Sequence, residues 1–380
     1  MLKRIYISNF RNLVNFELQP GGLGLLMGPN GSGKSAVLDL LARLRAYVVD
    51  GAGVDALFPE AEFNRWAQGG EVRQVHELDI EANGGLYRYR LVVRLLRATG
   101  QVRMEEELLR FKDHDLFRFN IEDGQAKAQL FRDGGAKGPE TLASWAVSGV
   151  GFLQARPENT ELCAFRDELA RVYVIRLSVA AMAEHGGETV REARVPAPDF
   201  SNFASWYLHL LQEATDRVFA VTEALRERLP GFVSLSLVSA GERKVLKARF
   251  RFPGSGHEEQ FPLRELSDGQ RAIIALQMLL HCLPASGAVL CVDEPENFLA
   301  LPEIQPWLDA IYDQVEDKRR QVLLVSHHPR LINMLADDAG FWVQQDPDAG
   351  VARISPIVRG EATEGLPVSQ LVERGWIIDA

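Results

Sequence analysis

An α/β fold carrying two additions, an antiparallel β layer and an inserted helical lobe, is what this 380-residue sequence predicts. Three observations predict it. The last third alternates helical segments with the apolar runs Ala288–Val292 and Val322–Val325, the rhythm of a parallel sheet with crossover helices. Near the N-terminus the apolar run Leu23–Met27 passes directly into a glycine-rich loop and then a helical pattern. Between them, residues 72–121 alternate apolar and polar positions, with Gly, Asn and Asp turns such as Ala82-Asn83-Gly84-Gly85, which is the pattern of antiparallel strands.

In chain order, strands are expected at Leu2–Ile7, Leu13–Leu18 and Leu23–Met27. A helix follows with Val37, Leu41, Leu44 and Val48 on one face, ended by Asp50-Gly51-Ala52-Gly53. The antiparallel layer is read as Val72–Glu81, Leu86–Leu96, Val102–Phe111 and Leu116–Ile121. Residues 139–171 read as mostly helical, Val172–Ile175 as a buried strand, and the Gly-, Pro- and charge-rich residues 179–200 as a mobile connection. One amphipathic helix is expected through Leu208, Leu211, Ala214, Val218, Val221, Leu225 and Leu229, stopped by Pro230-Gly231. Strands Phe232–Val238 and Lys244–Phe252, a helix from Arg271 through Leu280, and a hairpin around Asp346–Gly350 complete the reading. The expected division is 1–178 as the N-terminal part of the core with the antiparallel layer, 179–262 as the inserted lobe, and 263–380 as the C-terminal part of the core.

The formal net charge of −10 disfavours sequence-independent DNA binding over the whole surface. Cys163, Cys282 and Cys291 lie in apolar contexts without metal-ligand spacing, as expected of small reduced core residues. No run approaches the roughly 20 apolar residues of a membrane span, and the start Met1-Leu2-Lys3-Arg4-Ile5 has no signal-peptide core. A cytoplasmic protein without membrane contact is expected.

Four motifs carry chemistry. Gly28-Pro29-Asn30-Gly31-Ser32-Gly33-Lys34-Ser35 has the phosphate-loop pattern between strand and helix. Its backbone N–H groups would wrap phosphates, Lys34 would reach the β and γ phosphates of ATP, and the Ser35 hydroxyl would ligate Mg²⁺. The run Ala288-Val289-Leu290-Cys291-Val292 delivers Asp293 and Glu294 at its C-terminal end, where α/β folds bind ligands. Asp293 would hold Mg²⁺ through its water shell and Glu294 would polarise the attacking water. Leu266-Ser267-Asp268-Gly269-Gln270 offers a second phosphate cradle through Ser267, Gly269 and a helix N-terminus. Read alone it is a helix capped by Ser267, with Gln270 at the capping-box position. Finally, His327 in Ser326-His327-His328-Pro329 stands at a strand end, able to hydrogen-bond a γ-phosphate or simply to serve the structure.

In this order the four motifs resemble ABC-class ATPases of the soluble RecF/SMC-like, OLD-like branch, over nearly the whole chain. The resemblance implies a P-loop NTPase of the ABC-type ATPase-head kind. Ile7-Ser8-Asn9-Phe10-Arg11-Asn12 is similar to that branch's opening motif, which implies that Arg11 approaches the phosphates; Asp293-Glu294-Pro295-Glu296-Asn297-Phe298-Leu299 resembles its DEPE-type version. It further implies a homodimer formed on ATP binding, with Ser267 and Gly269 of one copy facing the phosphate loop of the other. Three departures stand out. Asp268 replaces the second glycine of the signature, Ala300-Leu301 stands where relatives carry Asp or His, and Arg176-Leu177-Ser178 lacks the glutamine expected after Val172–Ile175. Gln154, on a segment read as helical, is not assigned to that role.

The function this resemblance implies is an Mg²⁺-dependent ATPase acting as an ATP-gated dimer switch on a separately encoded effector protein, in a phage-defence or toxin-like system. A RecF-like clamp on DNA and a non-hydrolysing ATP-bound structural dimer are the alternatives. For DNA, basic residues gather as Lys247, Arg249 and Arg251 on one strand face and as Arg88, Arg90, Arg94 and Arg97 on another segment. A solvated face balanced by acids such as Glu258 and Glu259 explains the first stripe equally.

Overall fold

A computed structural model describes the chain except residues 123, 253, 255, 285, 358–365 and 375–380. Part of the tail expected after the last hairpin thus lies outside the described residues. The chain forms two compact units, Met1–Tyr173 with Gly287–Val289 and His327–Ala380, and Val174–Ser286 with Leu290–Ser326.

In the first unit, β1 (Leu2–Ser8), β2 (Phe16–Leu18) and β3 (Leu23–Met27) precede helix α1 (Lys34–Val48) and the single turn α2 (Val54–Leu57). Strands β4 (Glu71–Ala82), β5 (Gly85–Leu96), β6 (Gln101–Phe111), β7 (His114–Glu122), β8 (Gln125–Phe131) and β9 (Lys137–Leu142) follow, then α3 (Gly149–Phe152) and α4 (Thr160–Ala170). Eight of these strands make one sheet in the order β2-β1-β4-β5-β6-β7-β8-β9, each strand antiparallel to its neighbours. The antiparallel layer is therefore four strands wider than the pattern suggested, with β1 and β2 joining at one edge and β8 and β9 at the other, and residues 139–171 are only partly helical. Small Ala126 and Ala128 hold the buried positions of β8, so its alternation carries little hydrophobic contrast.

The second unit begins near β10 (Val172–Arg176) and continues through α5 (Val179–Glu184), β11 (Glu188–Thr189), α6 (Phe203–Glu213) and α7 (Thr215–Arg228). Next are β12 (Phe232–Ala240), β13 (Arg243–Arg251), β14 (Glu258–Pro262), α8 (Asp268–Cys282), β15 (Ala288–Asp293), α9 (Leu301–Glu316) and β16 (Arg320–Val325). Strands β10, β15 and β16 are neighbours in that order, while β12 and the pair β11 and β14 flank β13. The single helix expected from 208 to 229 is two, broken at Ala214 with φ −148° and ψ 50°. Residues 179–200 are ordered rather than a loose connection. Asn202 holds the Ala197 N–H and the Val195 carbonyl at 2.7 and 3.0 Å, and Phe200 is fully buried. Helix α8 is apolar nearly all round and buried accordingly. Arg320, itself buried, closes its C-terminal end by donating to the carbonyls of Leu279 and Leu283 at 3.0 and 2.8 Å.

The chain then returns to the first unit with α10 (Pro329–Ala339), β17 (Gly340–Gln345), β18 (Ala352–Pro356) and α11 (Val368–Glu373). Strand β17 lies parallel to β3, with Gly340, Phe341 and Trp342 opposite Leu25, Leu26 and Met27, and forms the expected hairpin with β18. Cys282 and Cys291 are free and buried, and burial pushes both thiols up to about 12. No helix among the described residues is long and apolar enough to cross a membrane.

An aromatic cluster fixes the turn after β1. The fully buried His76 of β4 stacks on Phe58 at 5.2 Å and meets the edge of Phe10 at 6.0 Å. Its Nε2 lies 3.2 Å from the Gln74 side-chain oxygen. Burial lowers the His76 pKa to about 3 from 6.5, so protons bind the unfolded chain first as pH falls. The stability contributed by the neutral ring is complete above pH 6.5 and is lost as pH drops from 6.5 toward 3. At about 1.4 kcal/mol per pH unit, moving from pH 7 to pH 5 removes about 2 kcal/mol. His76→Phe should flatten this dependence, read as the shift in denaturation midpoint between the two pH values. An equal shift in the variant would contradict the assignment.

Candidate functional site

The phosphate loop belongs wholly to the first unit. Strand β3 ends at Met27, and Gly28, Gly31 and Gly33 take φ of 138°, 78° and 109°, a region L-residues with a Cβ avoid. At Gly28 the glycine is obligatory for a second reason, since a Cβ would stand 1.9 Å from the Val343 carbonyl oxygen of β17. Gly33 is the N-cap of α1. It offers no side-chain cap, and the Ala36 N–H donates to its carbonyl at 3.1 Å; the N-terminal end of a helix dipole attracts an anion. Lys34 is buried, and its ammonium donates to the carbonyls of Gly28 and Pro29 at 2.8 and 2.7 Å. Asn30 and Gly31 are exposed, Ser32 is buried and Ser35 is half-buried.

Arg11 sits beside this loop in a left-handed turn with φ 51°. Its guanidinium pairs with Glu62 and with Asp39 of α1, both at 2.6 Å, and lies 5.2 Å from the Phe10 ring centroid. Burial opposes its charge, but the hydrogen bonds and charges of these two carboxylates raise its pKa. The next residue makes the direct contact: Asn12 donates from its side chain to the Gly31 carbonyl at 3.2 Å. Its own carbonyl accepts from the Ala352 N–H at 2.8 Å. Asn12 was quoted within the opening motif without a role. Alongside lies a cavity of about 340 Å³, whose walls include Arg11, Asn12, Phe63, Arg65, Trp66 and Gln345. Trp66, which the sequence reading passed over, is 75% exposed there. His327, also of this unit, is exposed. His328 caps α10 by accepting the Arg330 N–H on Nδ1 at 3.2 Å.

The carboxylates and the signature belong to the second unit. Asp293 ends β15 and accepts from Arg176 Nε at 3.0 Å. Where a glutamine was sought after Val172–Ile175, the chain places this arginine on the proposed metal-binding carboxylate. Gln154 lies in a loop after α3, not on a helix. Glu294 takes the left-handed conformation, φ 51°, a conformation that costs energy in a non-glycine residue and concentrates at functional sites. Its N–H is tied to the Val325 carbonyl at 2.8 Å, and its carboxylate accepts from the Asn297 side chain at 2.7 Å. Asn297 therefore aims Glu294, a role that only the folded turn reveals.

Ser267 and Gln270 form the capping box at the start of α8. The Gln270 N–H donates to Ser267 Oγ at 3.2 Å and the Ser267 N–H to Gln270 Oε1 at 3.0 Å. The departure at Asp268 is explained locally. Arg271, only 8% exposed, donates to the carbonyls of Leu266 and Leu263 at 2.7 and 3.0 Å and pairs with Asp268. This clamp holds the turn that a second glycine would leave slack. Gly269 lies close to the loop after Glu294, where a Cβ would stand 3.2 Å from the Phe298 carbonyl oxygen.

In the first unit the glycine cradle and the N-terminus of α1 are of the kind that suits phosphate, and the Ser35 hydroxyl is a hard oxygen donor of the kind Mg²⁺ takes. In the second unit the Asp293 carboxylate is another such donor. Among the described residues no three His, Cys, Asp or Glu side chains gather to hold a metal. On the basic stripe of β13, Arg249 and Arg251 share Glu258, at 3.7 and 2.7 Å, and Arg243 nearby pairs with Glu188 at 3.2 Å.

Residues 195–333 match a family model described as "AAA domain, putative AbiEii toxin, Type IV TA system". No curated protein matches the sequence. Among solved structures, the chain is similar to an Smc head bound to the C-winged helix domain of ScpA. The two share 11% identity at TM-score 0.55, over 96% of this chain and 99% of that one. It is similar also to the Smc head with an extended coiled coil from Pyrococcus furiosus, bound to the C-terminal domain of ScpA. There the identity is 11% and the TM-score 0.53, over 100% of this chain and 99% of that one. The expected ATPase-head architecture is thus present: the chain has an SMC-head-like P-loop NTPase fold with a large antiparallel sheet.

Proposed function

We propose that this protein is an Mg²⁺-dependent ATPase working as an ATP-gated, head-to-tail homodimer that switches a separately encoded effector. The observation that carries the reading is the preformed phosphate loop, whose buried Lys34 ammonium rests on two loop carbonyls. Exchanging those neutral acceptors for phosphate oxygens strengthens its hydrogen bonds. Mg²⁺ would supply charge neutralisation at the phosphates, held by Ser35 and Asp293, with Arg176 yielding its place on Asp293. Glu294, aimed by Asn297, accepts the proton of the attacking water, and His327 contacts the γ-phosphate. Ser267 and Gly269 of the second copy close the site, so hydrolysis loosens the dimer.

Two observations favour an effector over DNA. The matched family's description names a toxin of a toxin–antitoxin system, and both Smc heads are described as bound to a domain of another protein. On the β13 stripe, meanwhile, Glu258 offsets part of the charge of Arg249 and Arg251. Asn297 on Glu294 argues against a purely structural, non-hydrolysing dimer, which has no use for an oriented base.

Two outcomes test this reading. Lys34→Ala disables the loop and Ser267→Arg blocks the signature face. Mixing the two inactive variants should restore part of the ATP hydrolysis measured by phosphate release, because one composite site regains both faces. No recovery, with heterodimers shown to form, would contradict a shared site. The cavity beside Asn12 supports a reading in which the base stacks on the exposed Trp66 ring, a contact that contributes about 1–3 kcal/mol. Trp66→Ala should weaken ATP binding about tenfold or more and remove nucleotide-dependent quenching of tryptophan fluorescence, while Trp66→Phe retains most of the affinity. Unchanged affinity in Trp66→Ala would place the base elsewhere.

A further inference from the structure

On the outer face of the eight-stranded sheet, cross-strand registration produces an arrangement that the sheet itself does not explain. Arg73 of β4 stands directly opposite Arg94 of β5, and Arg94 directly opposite Arg103 of β6. Cross-strand partners share a face, and like charges in that position are destabilising. The two rows beyond it are built differently. Val75 faces Val92, which faces Glu106; Glu77 faces Arg90, which faces Leu108. Away from the arginine rung the cations are offset by acids: Arg90 by Glu77 and Glu106, Lys127 by Glu140, and where Arg88 stands opposite Arg110 the row continues to Asp79 on one side and Asp115 on the other, Asp115 also taking Arg118.

The rung itself is under-compensated. A β-bulge between Val92 and Val93 leaves Glu105 as the extra residue, and Glu105 takes Arg73 at 2.6 and 3.0 Å. Arg94 reaches only Glu71, at 3.3 Å. No carboxylate lies within ion-pair distance of Arg103 among the described residues. The Nε groups of both Arg94 and Arg103 are buried without a hydrogen-bond partner, as are those of Arg271 and Arg320, and each is a cost to the fold. The rung borders a groove of about 720 Å³ lined by five arginines and two glutamates, with Val75, Val92 and Leu108 along it.

We propose that this groove docks an acidic segment of a partner protein, its carboxylates held by the Arg73–Arg94–Arg103 rung and its apolar side chains laid on Val75, Val92 and Leu108. The guanidinium fork matches carboxylate geometry bidentately. A mixture of arginine and apolar surface is the composition of a protein interface. A nucleic-acid backbone is the poorer occupant. It needs a run of uncompensated cations, and here a single rung has them while the neighbouring rows are neutralised or apolar. The groove lies wholly within the first unit, so the proposal stands whether or not the nucleotide reading does.

The test uses the full-length protein and a fluorescein-labelled peptide alternating glutamate with leucine, followed by fluorescence anisotropy. Saturable binding is expected, weakened about tenfold or more in the Arg94→Gln/Arg103→Gln double variant and unchanged in Lys34→Ala. Separately, Arg103→Glu places a carboxylate opposite Arg94, so its melting temperature should rise by about 1–3 °C while peptide binding is lost. Absence of saturable binding, binding indifferent to the arginine substitutions, tighter binding of a short DNA duplex through the same arginines, or a lower melting temperature in Arg103→Glu would each overturn the proposal.

Discussion

The first unit depends on the closeness of Gly28 to β17. A strand from the last fifty residues lies parallel to β3, and the backbone of the phosphate loop passes so near the Val343 carbonyl that no side chain fits between. That approach sets where the loop turns away from the sheet, and so where α1 begins and which carbonyls Lys34 meets. On the other side, Asn12 binds the loop at Gly31 and is itself held by Ala352 of β18. The loop is thus fixed from both sides by segments more than three hundred residues apart. A loop held in this way loses little further freedom when phosphate binds, which is what makes a preorganised site effective.

In the second unit the same economy governs the signature and carboxylate turns. Ser267 and Gln270 complete a capping box, Arg271 clamps the carbonyls of Leu263 and Leu266, and Asn297 holds the carboxylate of Glu294, whose backbone is left-handed. The helix-cap reading and the phosphate-cradle reading of Leu266–Gln270 are compatible. A cap that satisfies one N–H through Ser267 leaves Gly269 and the helix dipole at the same surface. Arg176 on Asp293 gives the carboxylate a cationic partner at the end of β15.

What the sequence made readable was local. The phosphate loop, the strand ending in Asp293-Glu294 and the helix after Ser267 announce themselves within ten residues, because turn glycines, apolar runs and capping residues act on their immediate neighbours. What it concealed was set by distant partners. Strand β8 hides its alternation behind alanines. Ala214 breaks a helix whose apolar spacing runs on unbroken. Asn12, Asn297 and Trp66 gain roles only from what the fold brings beside them. The arginines of β5 were visible as a cluster, yet nothing local shows Arg94 flanked by Arg73 and Arg103, because strand register is a tertiary property.

The central claim, that nucleotide joins two copies of this chain, is tested most directly by light scattering after size exclusion with the Glu294→Gln variant, which keeps the shape of the base and removes its charge. With ATP and Mg²⁺ the measured mass should double, and without nucleotide, or with Lys34→Ala added, it should return to that of one chain. A single-chain mass at saturating ATP would contradict the account.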